Sequence, residues 1–405
     1  MGVRSPERRT WWVACGLLFA VAVGPNVPTP LLLIYREQLD LAPSTLAAIF
    51  GVYALGLAPS LLFGGPASDR FGRVRVLLPA SVLVALASLV FLGATSSSGG
   101  ALGVLFAARF LQGLASGAVF SVGSAWLQDL AAEHPGPDGG ANGPARAARS
   151  ASIAQTGGFC LGPLTSGLLG AYGPLPLTLP YLVHVAMMVV ALAAVGLVAG
   201  TGTRPDGGAR RGLLPRPGLD GRARRTFGRV VVPTAVCVYA FPSVSVTVLP
   251  LLLPGVTGLV AFTGLLAALT LGTGTLVQPF AHRLGPRTGP VGAGLGALGF
   301  AAGVVAAYAP SVLPVAVAGV LLGAGGGLCL NAGLTLVGRL APVSGRGAAN
   351  GLFYTAAYAG FATPYLATAF VTVEELAVPL LVLVVVTATT AAWLAARTRA
   401  GAGGD

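Results

Sequence analysis

The sequence predicts an all-α integral membrane protein with twelve transmembrane helices in two pseudo-symmetric six-helix bundles. Three observations carry this. First, 55% of the 405 residues are hydrophobic and only 9% are charged, against about 25% charged in a soluble domain; the mean hydropathy is +0.82. Second, the runs 11–35, 41–68, 150–203, 230–282, 288–338, 347–373 and 376–396 carry no Asp, Glu or Arg, and 76–128 carries only Arg109. Charge in hydrocarbon is costly, so the runs mark spans and the clusters between them mark loops. Third, the longest runs exceed the roughly 20 residues that one span needs. Each is therefore a helix pair, and turn residues stand where the hairpins are required: 96–100, Gly173-Pro174, Pro254-Gly255 and Pro310-Ser311.

In chain order the spans are 11–34, 43–66, 75–95, 101–129, 149–172, 175–200, 229–253, 257–281, 288–308, 312–340, 346–370 and 375–396. Span one follows Arg8 and Arg9 and is interrupted by Gly24-Pro25-Asn26-Val27-Pro28-Thr29-Pro30. It reads as an uncleaved signal-anchor, because too few apolar residues precede Cys15 for a cleaved leader. Span two ends at the Arg cluster of 70–75, and spans three and four form the hairpin turned at 96–100. Spans five and six turn at Gly173-Pro174. The Gly-, Pro- and Arg-rich stretch 201–228 then divides a bundle at 1–200 from one at 229–405, and it cannot bury a core, so it is expected to be a flexible tether. Span seven carries Phe241-Pro242-Ser243, and span nine follows Arg283 and Arg287. Span ten ends at Arg339, eleven begins at Arg346, and twelve lies between Glu375 and Arg397.

All 24 basic residues are Arg, and 22 of them fall on one side of this topology. The positive-inside rule makes that side cytoplasmic, with both termini inside, in a bacterial inner membrane. A net charge of +12 raises nucleic acid as a partner. The Arg residues are spread over short loops instead of one domain, so the lipid bilayer is the partner expected and nucleic acid is not. Cys15, Cys160, Cys237 and Cys329 lie in different spans without metal-ligand spacing, so free buried thiols are expected, with no metal and no cofactor. No HExxH, GxSxG or paired intramembrane carboxylate occurs, and His134, His184 and His282 are far apart in sequence, which argues against an enzyme.

The two halves repeat. Pro66-Ala-Ser-Asp69-Arg70-Phe-Gly72-Arg73 aligns with Pro279-Phe-Ala-His282-Arg283-Leu-Gly285-Pro286. Gly113 and Gly117 align with Gly323 and Gly327, and 158–163 resembles 360–364. Halves related in this way are a transporter signature.

Three segments resemble motifs of the major facilitator superfamily, nearest to its twelve-helix drug/proton antiporter branch. Gly65-Pro-Ala-Ser-Asp69-Arg70-Phe-Gly72-Arg73-Val-Arg75 is similar to the family's GxxxDRxGRR inner loop, with Val74 where a basic residue is usual. Its glycines permit a tight turn and close helix approach, and Asp69 can cap the next helix or pair with Arg. Arg109-Phe-Leu-Gln112-Gly113-Leu-Ala-Ser-Gly117 resembles RxxQGxxxG, whose glycines let a neighbouring helix come close. Gly158-Phe-Cys-Leu-Gly162-Pro163-Leu-Thr-Ser166-Gly167 resembles the antiporter motif GxxxGPxxGG, with Ser166 in place of a glycine. The resemblance implies a monomeric secondary transporter that rocks two bundles about a central site. It also implies efflux of a small organic molecule with protons as the candidate coupling partner. Uptake or facilitated diffusion without proton coupling, and a non-transporting receptor, remain the alternatives.

Arg109 is the one charge in a span core. It reads either as a functional charge or as a structural Arg bonded to carbonyls. Antiporters of the family often keep an acid in helix one or another helix of the first half, yet no span core here has one, and Asn26 stands at the comparable place, expected to line a cavity near Arg109. His184 is either a proton exchanger or a hydrogen-bonded core residue. Asp129 reads as a partner for Arg73 or Arg70 in an inner gate. Gln112, Tyr239, Asn331, Tyr354 and Tyr358, with Tyr53 and Gln278, are candidates for contact with substrate or for plain packing.

Overall fold

The computed structural model describes residues 6–95, 100–133, 143–198, 218–342 and 346–402. Most of the expected 201–228 tether and of the 96–100 turn lies outside them. All regular structure among the described residues is helical. Hydrocarbon offers no partner to backbone N–H and C=O groups, and a helix satisfies them within its own segment.

In the first half, α1 (Pro6–Val23) passes through a 3-10 turn (Gly24–Asn26) into α2 (Pro28–Leu39). There follow α3 (Pro43–Phe71), α4 (Arg73–Val90), α5 (Ala101–Glu133), α6 (Gly143–Tyr172) and α7 (Leu179–Val198). In the second half, α8 (Gly221–Thr226) starts where the Asp220 carboxylate accepts the Ala223 N–H at 2.7 Å. One π turn (Phe227–Val231) joins it to α9 (Val232–Thr247). Then come α10 (Leu259–Leu276), the short α11 (Ala281–Leu284), α12 (Thr288–Tyr308), α13 (Val312–Leu340), α14 (Arg346–Ala359), α15 (Thr363–Thr368) and α16 (Ala377–Ala402).

Helix occupies every expected span, and nine stretches among the described residues are long and apolar enough to cross a membrane. One of the nine, Leu259–Tyr308, contains two expected spans. Two further expected spans are not among them: α6, which is rich in Ser, Gln and Gly, and the α14–α15 stretch, which a 3-10 turn at Gly360–Ala362 divides. Helices also run past the apolar runs, at the acidic Asp129–Glu133 end of α5 and at the Arg-bearing ends of α6, α8 and α16, because a helix leaving hydrocarbon does not have to stop there.

The chain forms two compact units. The first contains residues 1–31 and 52–213, the second 32–51 and 214–405. Within the first, α1 packs on α5, α6 and α7, and α4 packs on α5 and α7. Within the second, α13 packs on α9, α10 and α12, while α12 also meets α16 and α9 meets α14.

Glycine seams set the closest approaches. A Cβ at Gly113 would strike Tyr53 O, and one at Gly117 would lie 2.7 Å from Leu57 O, so α5 lies directly on α3. A Cβ at Gly323 would strike Thr270 O and one at Gly327 would strike Gly274 O, which places α13 on α10 in the same way. Gly158 and Gly162 face the Phe19 and Val23 carbonyls of α1, and Gly360 faces the Val236 carbonyl of α9. No larger residue permits such backbone contact.

Candidate functional site

The first unit is built around the interruption of helix one. Pro25, Pro28 and Pro30 lack the N–H groups that would have bonded the carbonyls of Val21, Gly24 and Asn26. The backbone tightens locally, and Val27 N–H donates to Gly24 O at 3.1 Å. Side chains from α5 and α7 then reach the bared face. Gln112 Nε2 donates to Gly24 O at 2.9 Å. Arg109 Nη1 donates to Pro25 O at 2.6 Å and to Gln112 Oε1 at 3.1 Å. The Arg109 guanidinium also lies 5.1 Å over the Tyr53 ring.

One turn earlier, His184 Nε2 lies 3.1 Å from Ala20 O, and Nδ1 lies 2.7 Å from Ser88 Oγ. A carbonyl only accepts, so Nε2 carries the proton, and in the neutral ring Nδ1 accepts from the Ser88 hydroxyl. Gly24 is required here, since a Cβ would stand 2.7 Å from His184 Cε1. Arg109, Gln112 and His184 are all fully buried. Asn26 is half-buried, and its Nδ2 donates to Phe159 O at 3.4 Å. The hydroxyls of Thr29 and Ser116 are buried with no hydrogen-bond partner.

The structure thus brings Arg109, Gln112, His184 and the backbone beside Asn26 to one place. Ser88, Thr29 and Ser116 join the site without having been singled out from the sequence. The carbonyl demand of a Pro-rich span was the available signal, but it did not say which distant hydroxyls would answer.

The second unit holds an aromatic stack instead. Tyr239 of α9 stacks on Tyr358 of α14, with centroids 4.9 Å apart and planes 8° from parallel. It also lies 5.1 Å from the Phe361 ring. Phe50 meets Phe361 at 5.5 Å, and Tyr354 lies 6.3 Å from Tyr358. Tyr239, Tyr354 and Tyr358 are half-buried. The closeness of α14 to α9 depends on Gly360, where a Cβ would stand 2.6 Å from Ala240 N. Phe50 and Phe361 were not anticipated. Asn331 is half-buried on α13, and Gln278, in the 3-10 turn that follows α10, donates to Gly274 O of α10 at 3.2 Å. Many span hydroxyls are likewise consumed locally. Thr234, Thr247, Thr263 and Thr387 each donate to the carbonyl four residues back, which uses their one donor.

The α3–α4 turn holds the inner-loop motif. Gly72 has φ 96° and ψ 143°, a conformation open to glycine. Arg73 pairs with Asp69 at 2.5 Å and with Asp129 of α5 at 2.8 Å, and it donates to Ser68 Oγ at 2.6 Å. Asp69 therefore pairs with Arg, and α4 has no side-chain cap. The exposed Arg70 lies 5.4 Å over the Phe71 ring. Gly65 faces Ser121, where a Cβ would lie 3.3 Å from Oγ. The four cysteines are free; Cys160 is half-buried and not fully buried as expected, because its face of α6 is only partly covered. Among the described residues no His, Cys, Asp or Glu cluster could hold a metal.

The chain is 31% identical over 199 residues to the multidrug resistance protein MdtL of Shigella flexneri serotype 5b, covering 49% of this chain and 46% of that one. It is 30% identical over the same length to MdtL of Escherichia coli K12/DH10B. The match thus spans about half the length of these curated relatives. Among solved structures, a peptide transporter POT in complex with sulfate superposes with a TM-score of 0.76 at 16% identity, over 95% of this chain and 93% of that one. A bacterial homologue of the human lysosomal transporter Spinster, inward-facing and unoccupied, superposes at 0.71 with 14% identity over 98% of each. At such identities these likenesses show the fold. The profile described as Major Facilitator Superfamily matches residues 13–363. With helices throughout the described parts of that stretch and the same glycine seams in both halves, this multi-pass membrane protein belongs to the major facilitator superfamily.

Proposed function

We propose that the chain exports a small amphipathic organic molecule, neutral or anionic, across the bacterial inner membrane. It does so by alternating access between two six-helix bundles, with both termini cytoplasmic and proton entry as the driving step. The observation that carries this is the buried network on the interrupted helix one. Its side chains hold the backbone at the freed carbonyls, so a change in any one of them alters where helix one bends. The unpaired hydroxyls of Thr29 and Ser116 leave donors for a polar solute or for water in the same unit. Within the second unit, the stack of Tyr239, Tyr358 and Phe361 is a flat apolar surface of the kind that receives the ring of an amphipathic molecule. The name of the MdtL relatives supports export.

His184 is the proposed coupling residue. Proton uptake at Nδ1 obliges Ser88 to turn its hydroxyl and accept. It also sets a second cation near the Arg109–Gln112 network, with no carboxylate of a span core among the described residues to offset it. Repulsion then loosens the hold on helix one. Asn26, which cannot ionise, favours the second reading, facilitated diffusion without protons. Proteoliposomes loaded with a pH-sensitive dye separate the two. Proton movement tied to one added compound, lost in His184→Gln while downhill flux of that compound persists, is the expected result. Solute flux without proton movement in the wild type would replace coupling with facilitated diffusion.

A further inference from the structure

We propose that Arg229, whose carbonyl Trp393 holds, and Arg397, whose guanidinium lies over the Trp393 ring, form a site for the phosphate of an anionic phospholipid in the leaflet on the Arg-rich face. The site begins with a missing donor. Pro233 has no N–H, so the Arg229 carbonyl lacks its partner four residues on. The indole Nε1 of Trp393 supplies it at 3.0 Å, which anchors the half-exposed Trp393 of α16 against the π turn before α9. One turn further along α16, the Arg397 guanidinium lies 4.3 Å over the indole. Stacking uses the face of the guanidinium and leaves its edge donors free, in the fork that matches a phosphate.

Arg222, Arg225 and Arg229 follow one another at i, i+3 and i+7, so they share a face of the helix that begins at Gly221. All three are exposed, as is Arg397. Among the described residues none of the four has a carboxylate partner, and the neighbouring Asp220 carboxylate is occupied by the Ala223 N–H. A Trp at the end of a spanning helix marks the interfacial depth at which headgroups lie, and basic side chains there attract anionic lipid. The inference rests on the membrane topology and not on the transported solute.

The test uses full-length protein in detergent, incubated with phosphatidylglycerol or phosphatidylcholine, and native mass spectrometry to count retained lipids. One phosphatidylglycerol is expected to stay bound in preference to phosphatidylcholine. Arg229→Gln with Arg397→Gln should weaken it about thirtyfold, from the attraction per basic residue at an anionic surface. Trp393→Phe, which keeps the ring and loses the N–H, should weaken it less. Arg36→Gln, on the Arg-poor side, should leave it unchanged. Equal retention by wild type and the double variant would overturn the site. Displacement by 10-fold excess inorganic phosphate would reassign it to a free anion. Both readouts are independent of transport, so a failed transport assay leaves this result standing.

Discussion

The two units share their seams and differ in their cores. In both, a glycine pair on the fourth helix of the half lies on the second: Gly113 and Gly117 on α3, and Gly323 and Gly327 on α10. In both, a glycine of the fifth helix lies on the first: Gly158 on α1 and Gly360 on α9. Between the seams the chemistry diverges. In the repeat alignment Arg109, Gln112 and Ser116 correspond to Gly319, Leu322 and Gly326. The Gly24 carbonyl bared by Pro28 is met by the Gln112 amide, and the neighbouring Pro25 carbonyl by the Arg109 guanidinium. Pro242 of α9 lies instead against Gly326 of α13, and the Val238 carbonyl it bares faces the same glycine, where a Cβ would lie 3.0 Å away. The fold therefore needs small residues at the same places twice, while the polar network is needed once. Backbone approach is a property of the repeat. The network belongs to one unit alone.

The largest effect should come from the shared seams. Gly113→Leu and Gly327→Leu each drive a side chain into a carbonyl that cannot move without its helix, and overpacking of this kind costs about 3 kcal/mol or more. Both should lose folded protein, measured as the monodisperse fraction after extraction. If one half tolerates the change, the seams are not equivalent.

Next comes the asymmetric core. Arg109→Ala leaves Pro25 O and Gln112 Oε1 without their donor, at about 1–3 kcal/mol for a buried unsatisfied group. Thermal unfolding should fall and transport in proteoliposomes should stop. In the other unit Gly319→Ala should press on Leu266 and on the buried Thr270–Ser245 hydroxyl pair, with no charged group affected. If Arg109→Ala transported as well as wild type, the network would be packing alone.

A smaller effect is expected at the aromatic stack. Tyr239→Phe keeps the ring and should change solute affinity little, whereas Tyr239→Ala removes two stacking partners, at about 0.5–1.5 kcal/mol each. Equilibrium binding of a solute that seats on the stack should weaken about tenfold in the second and hardly at all in the first. The smallest change in stability belongs to Asp129→Asn. Its bond to Arg73 is partly exposed, so the cost is roughly 0–1 kcal/mol. Any effect beyond that should appear in transport rate, as expected of an inner gate. The aligned position in the second half is Arg339, so Arg339→Gln should not reproduce it.

Much of the fold was legible because a bilayer is a severe solvent. The absence of Asp, Glu and Arg over 11–35 or 288–338 leaves a helix as the one arrangement that serves the backbone, and Arg clusters must stand outside. The candidate site was legible only in part. Arg109 and the Pro cluster of 24–30 are visible as anomalies in an apolar run. Their contact is not, because 84 residues separate Pro25 from Arg109. The pairing of His184 with Ser88 spans 96 residues and involves a Ser no different in sequence from its neighbours. In helices this apolar, periodicity does not say which side faces inward.

The sequence by itself determined most of the spans, the loops in which Arg accumulates, the repeat and the glycines that set helix approach. Each of these follows from a cost felt locally, either charge in hydrocarbon or a side chain where backbones meet. Only the tertiary structure decided that helix one is held by three side chains from two other helices, that Phe50 and Phe361 complete the tyrosine stack, and that 32–51 group with the second unit. Those outcomes depend on which distant groups reach a freed carbonyl or an open ring face, and that is set when the helices pack.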